Sequence, residues 1–148
     1  MKRQSFLTTG MPLLMLLLLA LLGVPRVIAH DLQLVDPGGW INRLLVFIPP
    51  LIWLIVVLRS KTTKPFAALL FIGILYGILL AVTHQLLWNY AFDQPPQLGG
   101  NLRHLSPAVG SLIARIFAFI SSLATGTVVG ILLGALGAAV KKLTYKRH

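Results

Sequence analysis

Residues 106–140 read SPAVGSLIARIFAFISSLATGTVVGILLGALGAAV and carry a small side chain at every fourth position. The row consists of Ser106, Gly110, Ala114, Ala118, Ser122, Gly126, Gly130, Gly134 and Ala138. Most of this stretch is apolar enough to lie in lipid, where small side chains let two helix backbones come close together. The row therefore predicts a helix-packing surface in a membrane protein. The row indicates neither a substrate nor a reaction.

The composition of the whole chain is also that of a membrane protein. Of its 148 residues, 57% are hydrophobic and only 11% are charged, and the mean hydropathy is +0.86. A soluble domain carries roughly a quarter charged residues. The formal charge of +10 comes from basic residues that border apolar stretches, which favours membrane flanks over a nucleic-acid-binding domain. The sequence contains no cysteine, which excludes disulfides and thiolate metal sites.

Four apolar stretches predict an all-α integral membrane helical bundle. Three of the predicted helices cover residues 41–58, 66–90 and 107–140. The last would be about 50 Å long as one helix, whereas the hydrocarbon core of a bilayer is about 30 Å thick. Its first ten or so residues are therefore expected in the interface or beyond it. Residues 30–148 are expected to form a single membrane domain.

The N-terminal stretch allows two interpretations. A basic start and a leucine-rich centre over residues 13–22, which is short for a span of about 20 residues, precede Gly23 and Pro25, which disfavour helix. The ending Val27-Ile28-Ala29 resembles a signal-peptidase site. Residues 1–29 are therefore either a signal peptide that is removed, which leaves three spans, or the first of four transmembrane helices.

The distribution of charge predicts the topology. Lysine and arginine cluster before the first apolar stretch, between the second and third, and after the fourth, so these three places are expected in the cytoplasm. All three aspartates fall in the remaining segments, residues 30–42 and 91–105, which are expected outside. The sequence thus predicts a multi-pass protein of the cytoplasmic membrane with a cytoplasmic C terminus.

Two rows of small residues are the predicted helix-packing sites. A row at this spacing turns by about 40° per step around a helix, so only part of it can face one neighbour. The expected packing residues are Gly73, Gly77, Ala81, Ser122, Gly126, Gly130, Gly134 and Ala138. The two rows either pack against each other within one chain, join copies in a homo-oligomer, or bind a larger membrane-protein partner.

A pair of prolines predicts a helix kink in the middle of the second apolar stretch. Pro49 and Pro50 lack the backbone donors that the carbonyls of Leu45 and Val46 would use in a regular helix. Because lipid cannot satisfy those carbonyls, protein, water or an ion must do so. The pair is therefore either a packed kink, or a hinge or ion-coordinating break.

Polar residues near the predicted outer boundary are the remaining site candidates. Arg115 lies inside an apolar run, and it is expected either to extend its side chain to the interface or to bind an anion, a lipid phosphate, Asp36 or Asp93. His84, Gln85, Trp88 and Asn89 form a polar and aromatic cluster at the end of the third stretch, typical of an interfacial belt and less often of a ligand site.

The histidines give a weak signal for a metal. Removal of residues 1–29 would leave His30 at the N terminus, where its amine and imidazole could chelate copper. His84 and His104 are expected on the same outer side and would complete a three-histidine site.

The sequence favours a non-enzyme without a cofactor. It has no paired carboxylates at a catalytic spacing, no glycine-rich phosphate loop and no Ser-His-Asp set. We expect a small multi-pass protein that contacts the lipid bilayer and acts as a packing or accessory subunit through its small-residue helix faces, with no nucleic-acid partner. The alternatives are a small channel, holin-like pore or transporter component, and extracytoplasmic copper handling through His30.

Overall fold

The computed structural model describes residues 9–92, 94 and 96–145, and over these residues it is a bundle of helices without strands. The helices are α1 Leu13–Leu21, α2 Val24–Asp31, α3 Trp40–Arg59, α4 Pro65–Leu86, α5 Trp88–Ala91 and α6 Pro107–Tyr145, with a short 3-10 turn at Gly100–Leu102. Four segments are long and apolar enough to cross a membrane: α1 with α2 as one 19-residue span, then α3, α4 and α6. The predicted all-α membrane bundle is confirmed.

The bounds of three spans lie close to those expected. Helix α3 runs without interruption through Pro49 and Pro50, so the predicted kink site lies inside one continuous helix. Helix α4 ends at Leu86 rather than at residue 90, because the backbone leaves the helical conformation at Leu87 before the short α5 begins. Helix α6 continues past residue 140 to Tyr145.

Helices α1 and α2 are separated by a tight turn at Gly23. The backbone N–H groups of Leu22 and Gly23 donate to the carbonyls of Leu19 and Ala20, which closes α1 with 3-10 geometry. A Cβ atom at Gly23 would lie 2.5 Å from Cε2 of Tyr76, so only glycine fits this close approach to α4. Gly23 and Pro25 therefore divide this span into two helices, with the proline in the first turn of α2, where its missing donor is tolerated.

The N-terminal span contributes to the main hydrophobic core. Leu16 and Ala20 of α1 are fully buried, as are Trp53 of α3 and Ile72 of α4. The indole Nε1 of Trp53 donates to the carbonyl oxygen of Leu19 at 2.6 Å. This hydrogen bond uses a side-chain donor that lipid could not satisfy, and it ties α3 to α1 inside the bundle.

Candidate functional site

The two glycine rows meet where α4 crosses α6. A Cβ atom at Gly73 would lie 2.4 Å from the carbonyl oxygen of Gly126, and one at Gly126 would lie 2.5 Å from Cα of Gly77. A Cβ at Gly130 would lie 3.0 Å from Cα of Leu70. Helix α4 packs more extensively against α6 than any other pair of helices does in the described part of the chain. The rows therefore pack against each other within one chain, which is the first of the three predicted alternatives.

Residues at the ends of the two rows lie next to this contact. A Cβ atom at Gly134 would lie 2.9 Å from the ring of Phe66, and Ala81 is fully buried, whereas Ala138 is only half-buried. The glycines of the crossing are thus covered by the chain's own backbone. A second copy or a pore would have to use other helix faces.

The same row lines a cavity of about 910 Å³ beyond the crossing. Ala114, Ala118 and Ser122 of α6 form part of one wall, and Phe117 stands beside them. These side chains are small and leave space beside α6, which the cavity occupies. The cavity lies at the end of the bundle that carries His30 and His84, here called the histidine end.

A carboxylate between two imidazoles forms the polar part of the cavity wall. Asp31, the last residue of α2, is 4% exposed, and its Oδ2 lies 2.6 Å from Nδ1 of His84. Its Oδ1 lies 3.3 Å from Nδ1 of His30. With the proton on Nδ1, each ring donates to a different carboxylate oxygen. Both histidines are more exposed than Asp31, at 43% for His30 and 27% for His84, and all three line the cavity.

The aromatic part of the cavity wall is held by Arg115. Its guanidinium carbon lies 4.9 Å from the ring centroid of Trp88, and Trp88 itself lines the cavity. Arg115 also donates to the side-chain oxygens of Gln85 and Asn89, each at 3.4 Å, and Gln85 donates to the Arg115 carbonyl at 3.1 Å. Three members of the predicted polar and aromatic cluster therefore contact Arg115, whereas the fourth, His84, binds Asp31.

Asp36, one of the predicted acidic partners of Arg115, has another position. Asp36 lines the cavity and accepts a hydrogen bond from the backbone N–H of Gly38 at 3.0 Å. Asp93 lies outside the described residues. Within the described part of the chain, a cation–π contact and two neutral acceptors hold the guanidinium.

The three histidines do not come together as a metal site. His104 is exposed and hydrogen bonds to its neighbour Arg103 at 3.4 Å, whereas His30 and His84 both bind Asp31. Among the described residues, no group of three potential ligands has an arrangement that could hold a metal ion.

The opposite end of the bundle, here called the lysine end, is closed by a second polar cluster. The ammonium group of Lys141 donates to the backbone carbonyls of Ser60, at 3.2 Å, and Thr62. The hydroxyl of Thr62 donates to the carbonyl of Thr9 at 2.5 Å. One lysine of α6 thus binds the loop between α3 and α4, and that loop in turn binds the start of the N-terminal span.

Sequence reasoning missed the Asp31–His84 contact and the cavity. Both depend on packing between the end of α2 and the end of α4, which lie 53 residues apart in the sequence. The available signal was the position of Asp31 at the end of one apolar stretch and His84 near the end of another, on the same predicted side.

No family model matches the sequence, and neither a curated protein nor a solved structure shows significant similarity to it.

Proposed function

We propose that this protein is a non-catalytic accessory protein of the cytoplasmic membrane that binds a small amphipathic molecule in the cavity at its histidine end. The supporting observation is the cavity itself. Its volume of about 910 Å³ lies in the usual range for small-molecule sites, roughly 300–1,000 Å³. Its wall joins apolar side chains to a few convergent polar groups, which is the usual composition of such sites.

The two parts of the wall suit an amphipathic molecule. Ala118, Phe117 and Phe92 offer apolar surface. Asp31 of α2 and His84 of α4 offer hydrogen-bonding groups. A molecule with an apolar body and a polar head would bury the first against α6 and place the second at Asp31.

The orientation that we propose follows from the basic residues. Lys61, Lys64, Lys141 and Lys142 lie at the lysine end of the bundle. The positive-inside rule places that end and the C terminus in the cytoplasm, so that the cavity opens on the outer side of the membrane.

The accessory role supposes contact with a larger membrane protein or with a second copy of the chain. Because the glycines of α4 and α6 are covered within the chain, such contact would use other faces. Helix α3 offers a face on which Phe47, Leu51 and Ile55 are exposed.

Binding of a neutral apolar probe tests the cavity. We expect triphenylmethanol to bind the purified protein beyond its partition into empty micelles, and we expect Ala118→Phe, which fills the cavity, to weaken binding at least tenfold. The matched control is Ala124→Phe on the exposed side of the same helix, which should bind as the wild type does. Equal binding by both variants would contradict the proposal.

A further inference from the structure

We infer that the ligand class of this cavity is an organic cation with an apolar body, such as a substituted ammonium or phosphonium ion. This inference rests on the proposed function and specifies the charge of the ligand. It is carried by the charges, the burial and the contacts of the residues that line the cavity.

The lining has the opposite charge balance from the rest of the chain. The sequence carries 13 lysines and arginines against 3 acidic residues, yet Asp31 and Asp36 both line the cavity. No lysine or arginine lines it in the described part of the chain. A cation entering the cavity therefore meets two carboxylates and, among the described lining residues, no lysine or arginine.

Asp31 is placed to bind a cationic head group. A carboxylate that is 4% exposed has lost most of its hydration, so an ion pair with it is less screened than one at the protein surface. The two histidines each approach one oxygen, Oδ1 or Oδ2. Each carboxylate oxygen has two acceptor sites, so the group keeps acceptor capacity toward the cavity while the imidazoles fix its position.

The aromatic wall fits the apolar body of such a ligand. Trp88, Phe92 and Phe117 line the cavity, and the rings of Trp88 and Phe92 lie 5.0 Å apart, centroid to centroid. Ring faces attract cations through their quadrupole and bury alkyl or aryl groups at the same time. Arg115 makes such a cation–π contact with the Trp88 ring. Its guanidinium is held by hydrogen bonds to Gln85 and Asn89, and Arg115 is not among the residues that line the cavity.

Two ions of equal shape and opposite charge test the inference. Tetraphenylphosphonium and tetraphenylborate are titrated into the purified protein, and their partition into protein-free micelles is subtracted. We expect the cation to bind at least about tenfold more tightly than the anion, because only the cation can form an ion pair with the partly desolvated Asp31 carboxylate. Equal binding, or tighter binding of the anion, would overturn the inference without the use of any variant.

Asp31→Asn then locates the preference. We expect this variant to lose about tenfold in affinity for tetraphenylphosphonium. It should lose clearly less for neutral triphenylmethanol, because the asparagine side chain can still accept a hydrogen bond from the hydroxyl of that probe, and binding of the neutral probe shows that the cavity is intact. Unchanged binding of the cation by Asp31→Asn would overturn the inference.

A second variant is available if Asp31→Asn fails to fold. Asp36→Asn, at an exposed position, is expected to weaken cation binding by about two- to threefold, and no change in binding would count against the inference. Failure of the proposed function looks different: triphenylmethanol does not bind, and Ala118→Phe has no effect on any of the three probes.

Discussion

His84 Nδ1 lies 2.6 Å from Oδ2 of Asp31, a residue 53 positions earlier in the chain. This contact joins the end of the N-terminal span to the end of α4. Loss of either partner leaves a polar group in the cavity wall without its hydrogen bond, which typically costs about 1–3 kcal/mol. We expect Asp31→Ala and His84→Ala each to lower the free energy of unfolding by that amount.

The double variant distinguishes this pair from two independent sites. We expect Asp31→Ala with His84→Ala to cost less than the sum of the single changes by about 1 kcal/mol, measured by denaturation in mixed micelles. Additive costs would show that the two side chains do not interact.

The glycine crossing predicts a strong response to one added methyl group. Gly126→Ala would place Cβ 2.4 Å from the carbonyl oxygen of Gly73, where only movement of the backbone can relieve the overlap. Overpacking of this kind costs about 1–3 kcal/mol. Gly110→Ala is the matched control on the same helix, because the nearest atom to its Cβ, Cδ1 of Leu98, would lie at an ordinary contact distance of 3.9 Å. Thermal denaturation should show a clearly lower midpoint for Gly126→Ala, and equal midpoints would argue against this helix contact.

The hydrogen bond from Trp53 to α1 predicts that two tryptophans respond differently to the same change. Trp53→Phe removes the donor to the Leu19 carbonyl and part of a fully buried side chain, and we expect a loss of about 1–2 kcal/mol. Trp40→Phe, at a position that is 69% exposed, should change stability by less than about 0.5 kcal/mol. Denaturation of both variants checks this, and a neutral Trp53→Phe would place α1 outside the core.

Lys141 and its neighbour provide a similar comparison at the lysine end. Lys141→Met removes the ammonium group that binds the Ser60 and Thr62 carbonyls just after α3, and we expect a cost of about 1 kcal/mol. Lys142→Met removes the same charge at an exposed position and should be close to neutral. Equal denaturation midpoints for the two variants would show that the hydrogen bonds of Lys141 to these carbonyls contribute nothing to stability.

Much of the fold could be predicted from the sequence, because lipid imposes simple requirements on it. Length and hydropathy placed three of the spans close to their observed bounds, and the spacing of Gly73 and Gly77 against Gly126 and Gly130 anticipated which helix faces meet. These features are local, since each can be recognised within one stretch of chain.

The cavity could not be predicted, because it depends on contacts between distant segments. Asp31 meets His84 only if α2 packs against α4, and the sequence left the retention of α2 open. Ala114 and Ala118 belong to the small-residue row but lay outside the predicted packing set, and nothing in their spacing indicated that they border a cavity. The contacts of Arg115 with a ring face and two amides were not predicted, since the sequence offered only a side chain that extends to the interface or an anionic partner.

The fate of the N-terminal span decides whether this four-span bundle exists in the membrane. Leu16 and Leu19 belong to the core, and the bond between Ala29 and His30 lies inside α2, so we expect the span to be retained. The most direct test is the intact mass of the protein extracted from membranes. Retention predicts a mass of about 16.2 kDa for the 148-residue chain, and a mature chain that begins at His30 would contradict the account.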